Sequence, residues 1–314
     1  MKRLLCIGLI AMAILLSGCA IPERKAEPIP VVMHCGALEL NAVFEGDDLT
    51  LDTGQEQLHM RQAISASGAR YVDPEDETTS FWNKGNTAQL TIKDKAWPLC
   101  VAAGTLAEPF TARGNEPFWS LTLEDSNFRF DRLGSEQYIS GNYVQHKQGD
   151  DVFIELDGSN QLTAVRVSRQ LCYDSMSGMV YPYSVKVMLP DKTLGGCGGN
   201  PKHLLQGEQW RVVTLGGAPV ATDSEMTVNF VDDALVAGST SCNWYSGQYH
   251  LKGDGLEISK LASTRRACMP SLMAQEAAFL KQLAEVDRFD FDERGQLVLL
   301  SGDIPVAVAR KSGY

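Results

Sequence analysis

The sequence predicts a mainly antiparallel β fold with a minor α+β part toward its C-terminal end. Short alternating runs bounded by Gly, Asp, Asn or Pro recur along the chain, the period-two mark of half-buried strands. Only one stretch carries a helical period. The chain has 314 residues, more than one core comfortably serves, so two or three compact units are expected.

The first segment, 1–18, reads as a signal. Lys2 and Arg3 precede the apolar run 4–16, which would make a helix of about 20 Å, short of the roughly 30 Å a permanent span requires. "LSGC" (16–19) resembles the bacterial lipobox, which implies cleavage before Cys19 and acylation of that residue. More than one acyl chain on Cys19 would anchor the protein stably in a lipid bilayer. Ala20 stands where an Asp would signal retention at the inner membrane, so the expected location is the outer membrane, facing the periplasm. Residues 19–30, with "AIPERKAEPIP", have few apolar positions and suit a semi-extended tether.

Strand-like alternation begins at "ALELNAVF" (37–44), where Leu38, Leu40, Ala42 and Phe44 oppose Glu39, Asn41 and Val43. It returns at 47–53, 88–92, 163–169, 183–189 and 226–230. The helical period falls on 271–286, with Leu272, Phe279, Leu280, Leu283 and Val286 on one side and Pro270 tolerable in the first turn. One helix on a sheet is an α+β arrangement. Boundaries are expected near 105–114, which lacks alternation, and near 198–209, rich in turn formers.

Cys6 leaves with the signal and Cys19 is assigned to lipid, leaving Cys35, Cys100, Cys172, Cys197, Cys242 and Cys268. Six thiols allow fifteen connectivities. If the chain is three modules, sequential pairing of 35 with 100, 172 with 197 and 242 with 268 gives each module one bridge, worth about 3–4 kcal/mol by loop closure. No CxxC or HxxxH spacing suggests a metal, and none is expected, nor any cofactor: "GGCGGNPK" (195–202) lacks phosphate-loop spacing, and its glycines read as turns beside Cys197. The formal charge of −11 argues against nucleic acid, which is bound by neutralising phosphates.

His34-Cys35, the alternating strand, "LTLDTG" (49–54), "SASGARY" (65–71), "FWNKG" (81–85), "AQLTI" (88–92) and Cys100 together resemble the membrane-bound inhibitors of c-type lysozyme over 31–105. The resemblance implies a small antiparallel β-barrel closed by a disulfide, and a c-type lysozyme as protein partner. It also implies that Ser67 and Lys84 insert into the lysozyme cleft. Gly68 and Gly85 would permit the tight loops beside them, and Tyr71 and Trp82 would brace those loops. Between the two motifs, the acidic stretch 73–79 reads either as a solvated loop or as a flap over the inserting residues. Residues 31–105 carry eleven acids against five Lys and Arg, a formal −6, which suits a basic target.

Residues 106–205, with "RGNEPFWSLTL" and "LCYDSMSGMVYPYSV", resemble an uncharacterised envelope-lipoprotein region. Asn115, Glu116, Trp119, Asp174 and Ser177 could line a polar site there or serve as turns and core anchors. Residues 206–314 resemble the META, or HslJ-like, domain through "GSTSCNWYSGQY" (238–249) and the "TRRAC" segment before the helix. Ser241 stands where that family's pattern puts Gly. Asn243 and Tyr245 read as exposed recognition residues or as a turn beside Cys242.

The expected architecture is therefore a small antiparallel β-barrel followed by two β-rich modules, the last with one helix packed on its sheet. The expected function is that of an envelope-anchored lysozyme inhibitor, a binder and not an enzyme. The alternative is an envelope-stress scaffold or binding lipoprotein without lysozyme inhibition.

Overall fold

The computed structural model describes residues 28–134, 138–157, 162, 164–221, 224–231, 234–253 and 255–312. The signal segment, Cys19 and most of the tether lie outside these residues. Three β bodies follow one another along the chain.

The first contains β1 (Val31–Cys35), β2 (Leu38–Glu45), β3 (Asp48–Asp52), β4 (Gln57–Ala63), β5 (Ala69–Val72), β6 (Ser80–Lys84), β7 (Thr87–Ile92), β8 (Lys95–Ala96) and β9 (Cys100–Ala102). β1 to β7 each pair with the next or with β9, and β6–β7 pairing closes the ring. Alternation drives this: in β2, Leu38, Leu40 and Ala42 are buried while Glu39 and Asn41 face water. They meet Leu49, Leu51, Met60, Tyr71, Phe81 and Leu90 in one core. Because the strands meander, the turns fall alternately at two ends. Loop 64–68 and turn 85–86 share one end, whereas the Gly36 turn and the acidic loop 73–79 share the other.

The second body is a closed eight-stranded antiparallel barrel running from Phe110–Asn115 to Thr193–Gly198. Residues 110–115, expected to lack alternation, are a strand with Phe110, Ala112 and Gly114 on the buried side. Gly114 is bare because Trp119 fills the space: a Cβ there would stand 2.1 Å from its Nε1. Gly195, Gly196 and Gly198 lie in a strand and not in the turns expected of them, Gly196 against the same ring and Gly198 against Phe110 and Val185. Trp119 Nε1–H donates to the Gly195 carbonyl at 3.1 Å, and a Cβ on Gly196 would meet the indole at 2.5 Å.

The third body is a nine-stranded antiparallel sheet from Gln209–Leu215 to Ile304–Lys311, with α1 (Pro270–Ala284) on one face. Phe279 and Leu283 of α1 are buried, Phe279 edge-on to Tyr245 at 5.6 Å between centroids. Ser241 adopts the left-handed φ of +77° that the family's glycine would take without strain. The cysteines pair as Cys35–Cys100, Cys172–Cys197 and Cys242–Cys268. Among the described residues no helix is long and apolar enough to cross a membrane.

The first and third bodies dock backbone to backbone. Ala37 N–H donates to the Gln206 carbonyl at 2.7 Å. Gly207, at φ +90°, lies so close that a Cβ there would stand 2.1 Å from the Cys35 carbonyl oxygen. Lys311 Nζ donates to the Ala37 carbonyl and sits 3.7 Å from the buried Glu208 carboxylate. Burial pushes Glu208 up and Lys311 down from their ordinary pKa values.

Candidate functional site

The rim opposite that docked end carries the motif residues. In β6, Phe81 points into the core while Trp82 and Lys84, two residues apart, share the outer face. Trp82 links loop 64–68 to the end of its own strand. Its Nε1–H donates to the Ser67 carbonyl at 2.8 Å, and the Lys84 ammonium lies 3.7 Å from its ring centroid, a cation–π contact. Ser67, from loop 64–68, and Lys84, from the end of β6, are therefore brought together, and both are exposed.

The backbone around them is built for close approach. Gly68 has φ +65°, and a Cβ there would stand 2.3 Å from the Asn83 carbonyl oxygen, so loop 64–68 packs directly on β6. The Ser65 hydroxyl donates to the Gly68 carbonyl at 3.0 Å, closing the loop on itself. Gly85, at φ +63° with open space around it, takes the first position of the two-residue hairpin loop where a left-handed residue is favoured. Thr87 Oγ1–H donates to the Lys84 carbonyl at 3.2 Å.

Two features make the rim chemically available. Ser67 Oγ has no hydrogen-bond partner among the described residues, and Lys84 forms no ion pair among them despite the acidity of this body. The acidic stretch 73–79 is not a flap over it. It sits at the far end of the β5–β6 hairpin, folded on itself: Asp73 accepts from Glu75 N–H at 2.8 Å, and Asp76 accepts from the Thr78 and Thr79 hydroxyls at 2.5 and 2.6 Å. Those hydrogen bonds hold Asp76 below the usual carboxylate range. Among the described residues no group of three His, Cys, Asp or Glu could hold a metal ion.

Tyr71 lies inside the core, 5.6 Å from Phe44 between ring centroids. It supports the rim from within, and burial raises the pKa of its phenol. One residue that motif reasoning passed over stands out at the surface. Ile64, at the start of the rim loop, is 101% exposed. Its signal in the sequence is a lone apolar side chain set against a polar, glycine-containing loop.

Of the other candidate polar groups, Glu116 is exposed, whereas the rest are engaged internally. Asn115 Nδ2–H donates to Asp174 Oδ2 at 3.0 Å, while Asp174 Oδ1 accepts from Ser177 Oγ and from the Met176 and Ser177 amides. Asn243 and Tyr245 are buried, so they are not exposed recognition residues. Asn243 Nδ2–H reaches Glu276 Oε2 at 2.9 Å, and its Oδ1 accepts from Thr264 Oγ1 and Arg266 N–H.

With this geometry in place, similarity to known proteins defines the class. Residues 34–97 match the family described as membrane-bound lysozyme-inhibitor of c-type lysozyme, and residues 203–312 match the META domain. A membrane-bound lysozyme inhibitor of C-type lysozyme from Yersinia enterocolitica is 34% identical over 87 residues, spanning 27% of this chain and 70% of that protein. One of the same description from Escherichia coli is 30% identical over 109 residues, 30% of this chain and 86% of that protein. The chain belongs to this inhibitor family through its first β body. Two solved structures also align, an NMR structure of a protein from Burkholderia xenovorans (24% identity, TM-score 0.31, 36% of this chain and 88% of that one) and a second NMR structure (26%, 0.30, 35% and 94%).

Proposed function

We propose that the protein inhibits c-type lysozyme by inserting the Ser67–Lys84 rim into the enzyme's substrate cleft. Lysozyme-type retaining glycosidases set two carboxyl groups about 5 Å apart, one ionised and one kept protonated. An ammonium offers three donors and no acceptor, so Lys84 can serve both groups, and a hydroxyl such as Ser67 can donate to one and accept from the other. Gly68 and Gly85 let the two loops approach, while Trp82 and Tyr71 hold them from beneath. Ile64 adds an apolar contact at the cleft wall. The observation that carries the reading is the joining of Ser67 and Lys84 by one indole, with both side chains free at the surface.

Anchoring completes the reading. Acylated Cys19 holds the chain in the outer membrane, facing the periplasm, and the 19–30 tether lets the inhibitory body meet incoming enzyme. The five modules then run as signal 1–18, tether 19–30, inhibitor 31–105, a β-rich body 106–205 and the META-like body 206–314, with no catalytic role assigned to any of them. Two experiments test this. Titrating a c-type lysozyme with the chain bearing Cys19→Ser should abolish lysis at one equivalent; full lytic rate at excess inhibitor refutes the reading. Cys19→Ser should also release the protein from the membrane fraction, and retention there refutes the anchor.

A further inference from the structure

The seam where the three β bodies meet holds a cavity of about 230 Å³, flanked by hollows of about 310 and 400 Å³ that share Val101 and Tyr183 with it. Its walls are graded. Leu99 and Leu171 are partly exposed at the mouth, while Trp210 at the floor is fully buried. Val101, Pro182 and Phe291 continue the apolar lining between them.

The charged groups in that lining are Arg169 and Lys311, beside His34, His203 and the Tyr183 hydroxyl, and it holds neither Asp nor Glu. Lys311 is balanced by Glu208 behind it at 3.7 Å. Arg169 forms no ion pair among the described residues; its guanidinium makes a 3.5 Å contact to the Tyr183 hydroxyl and lies 6.0 Å from the centroid of the same ring. A guanidinium without an ion pair thus stands in the wall of this pocket, while Glu39 and Asp150 line the adjoining hollow of about 400 Å³. The neighbouring His34 ring registers the same field, its pKa lowered to about 4 by burial and by the positive charges of Arg169 and Lys311.

A pocket with apolar walls and a single convergent charge is the general form of a small-molecule site. The guanidinium fork pairs a planar carboxylate through two parallel hydrogen bonds, and a single guanidinium without an ion pair matches a monoanion. The volume equals that of about eight liquid waters, room for a short apolar body. We propose that this junction cavity binds a small amphipathic organic acid, its carboxylate held by Arg169 at the mouth and its apolar body lying against Leu99, Val101, Leu171 and Phe291. Such a ligand touches all three bodies, so it stabilises their mutual docking by mass action. Nothing in this assignment depends on lysozyme.

Octanoate is a suitable probe, with octanol and acetate as tail-only and charge-only controls, added to the full chain bearing Cys19→Ser. Calorimetric titration and the imidazole NMR signals of His34 and His203 report binding. The expected result is a saturable one-to-one heat from octanoate with shifts in both imidazoles, and binding at least about tenfold weaker for each control. Arg169→Gln should weaken octanoate by about tenfold and leave the NMR dispersion unchanged, since this side chain is exposed. The proposal is overturned by no saturable heat from octanoate, by octanol binding equally well, by shifts that bypass both histidines, or by unaltered affinity in Arg169→Gln.

Discussion

The two ends of the first β body are made from the same parts and put to opposite uses. Each has glycines with left-handed backbone and one prominent lysine. At the docked end, Gly36 and Gly207 bring two backbones into contact, and Lys311 of the third body spends its donors on the Ala37 carbonyl and Glu208. At the open rim, Gly68 lets a loop press on its own β6, and Lys84 rests on Trp82 with no acid beside it. Polar groups satisfied within the molecule hold it together, whereas polar groups left to water are free to meet a partner. Charge alone does not separate these roles, since both residues are lysines in an acidic chain; the partners do.

The sharpest way to break this contrast is to exchange the lysines' fates by mutation. Lys84→Ala should weaken lysozyme inhibition by about 2–5 kcal/mol, because it leaves the enzyme's carboxyl groups buried and unpaired, with no change in melting temperature. Lys311→Met should do the reverse. It strands the buried Glu208 and costs about 2–3 kcal/mol of stability, with an inhibition constant unchanged at a temperature where the chain is folded. If both variants move both readouts, the ends are not separable.

Gly207→Ala sharpens the steric half of the argument. A Cβ 2.1 Å from the Cys35 carbonyl at φ +90° must displace backbone, at about 2–3 kcal/mol. Gly85→Ala meets open space and bears only the left-handed penalty, about 1 kcal/mol. Denaturant midpoints should rank them in that order.

The docked end should also respond to acid. His34, next to Cys35, has a folded pKa of about 4 against an ordinary 6.5, chiefly because it is buried and then because Arg169 and Lys311 face it; Glu39 lies 3.7 Å from its Nδ1. Since the folded value is depressed, the unfolded chain binds the extra proton. His34's contribution is full above 6.5 and is lost as pH falls toward about 4. Between about pH 7 and about pH 5 it should account for about 2 kcal/mol. Urea unfolding of His34→Gln, compared with wild type at both pH values, should lack that increment, and inhibition at the rim should not follow it.

Smaller effects belong to the rim's periphery. Ile64→Ser should cost about 1–2 kcal/mol of binding through lost apolar burial. Raising ionic strength should slow association with a basic lysozyme and leave dissociation nearly constant, as expected of a body with formal charge −6.

Much of this was legible in the sequence where one side chain per position carries the signal. The alternation of Leu38, Leu40 and Ala42 marks β2, and the period of Phe279 and Leu283 marks the helix, found at Pro270–Ala284. It was illegible where the cause lies elsewhere in the chain. Gly114 obscures a strand because the indole of Trp119, opposite it on the next strand, needs the room. The contact of Ala37 with Gln206 is backbone to backbone and leaves no side-chain mark. At the rim, the motifs name Ser67 and Lys84, but only three-dimensional placement joins them through Trp82, sends the acidic loop to the other end and exposes Ile64.

Competition in the substrate cleft tests the central claim most directly. The apparent dissociation constant of the protein for a c-type lysozyme is measured while the cleft is progressively filled with a chitin oligosaccharide. Insertion of the Ser67–Lys84 rim predicts that the constant rises as the reciprocal of the fraction of clefts left empty, because the two cannot share the catalytic carboxyl groups. Binding that is indifferent to the saccharide would place the contact outside the cleft and contradict the account.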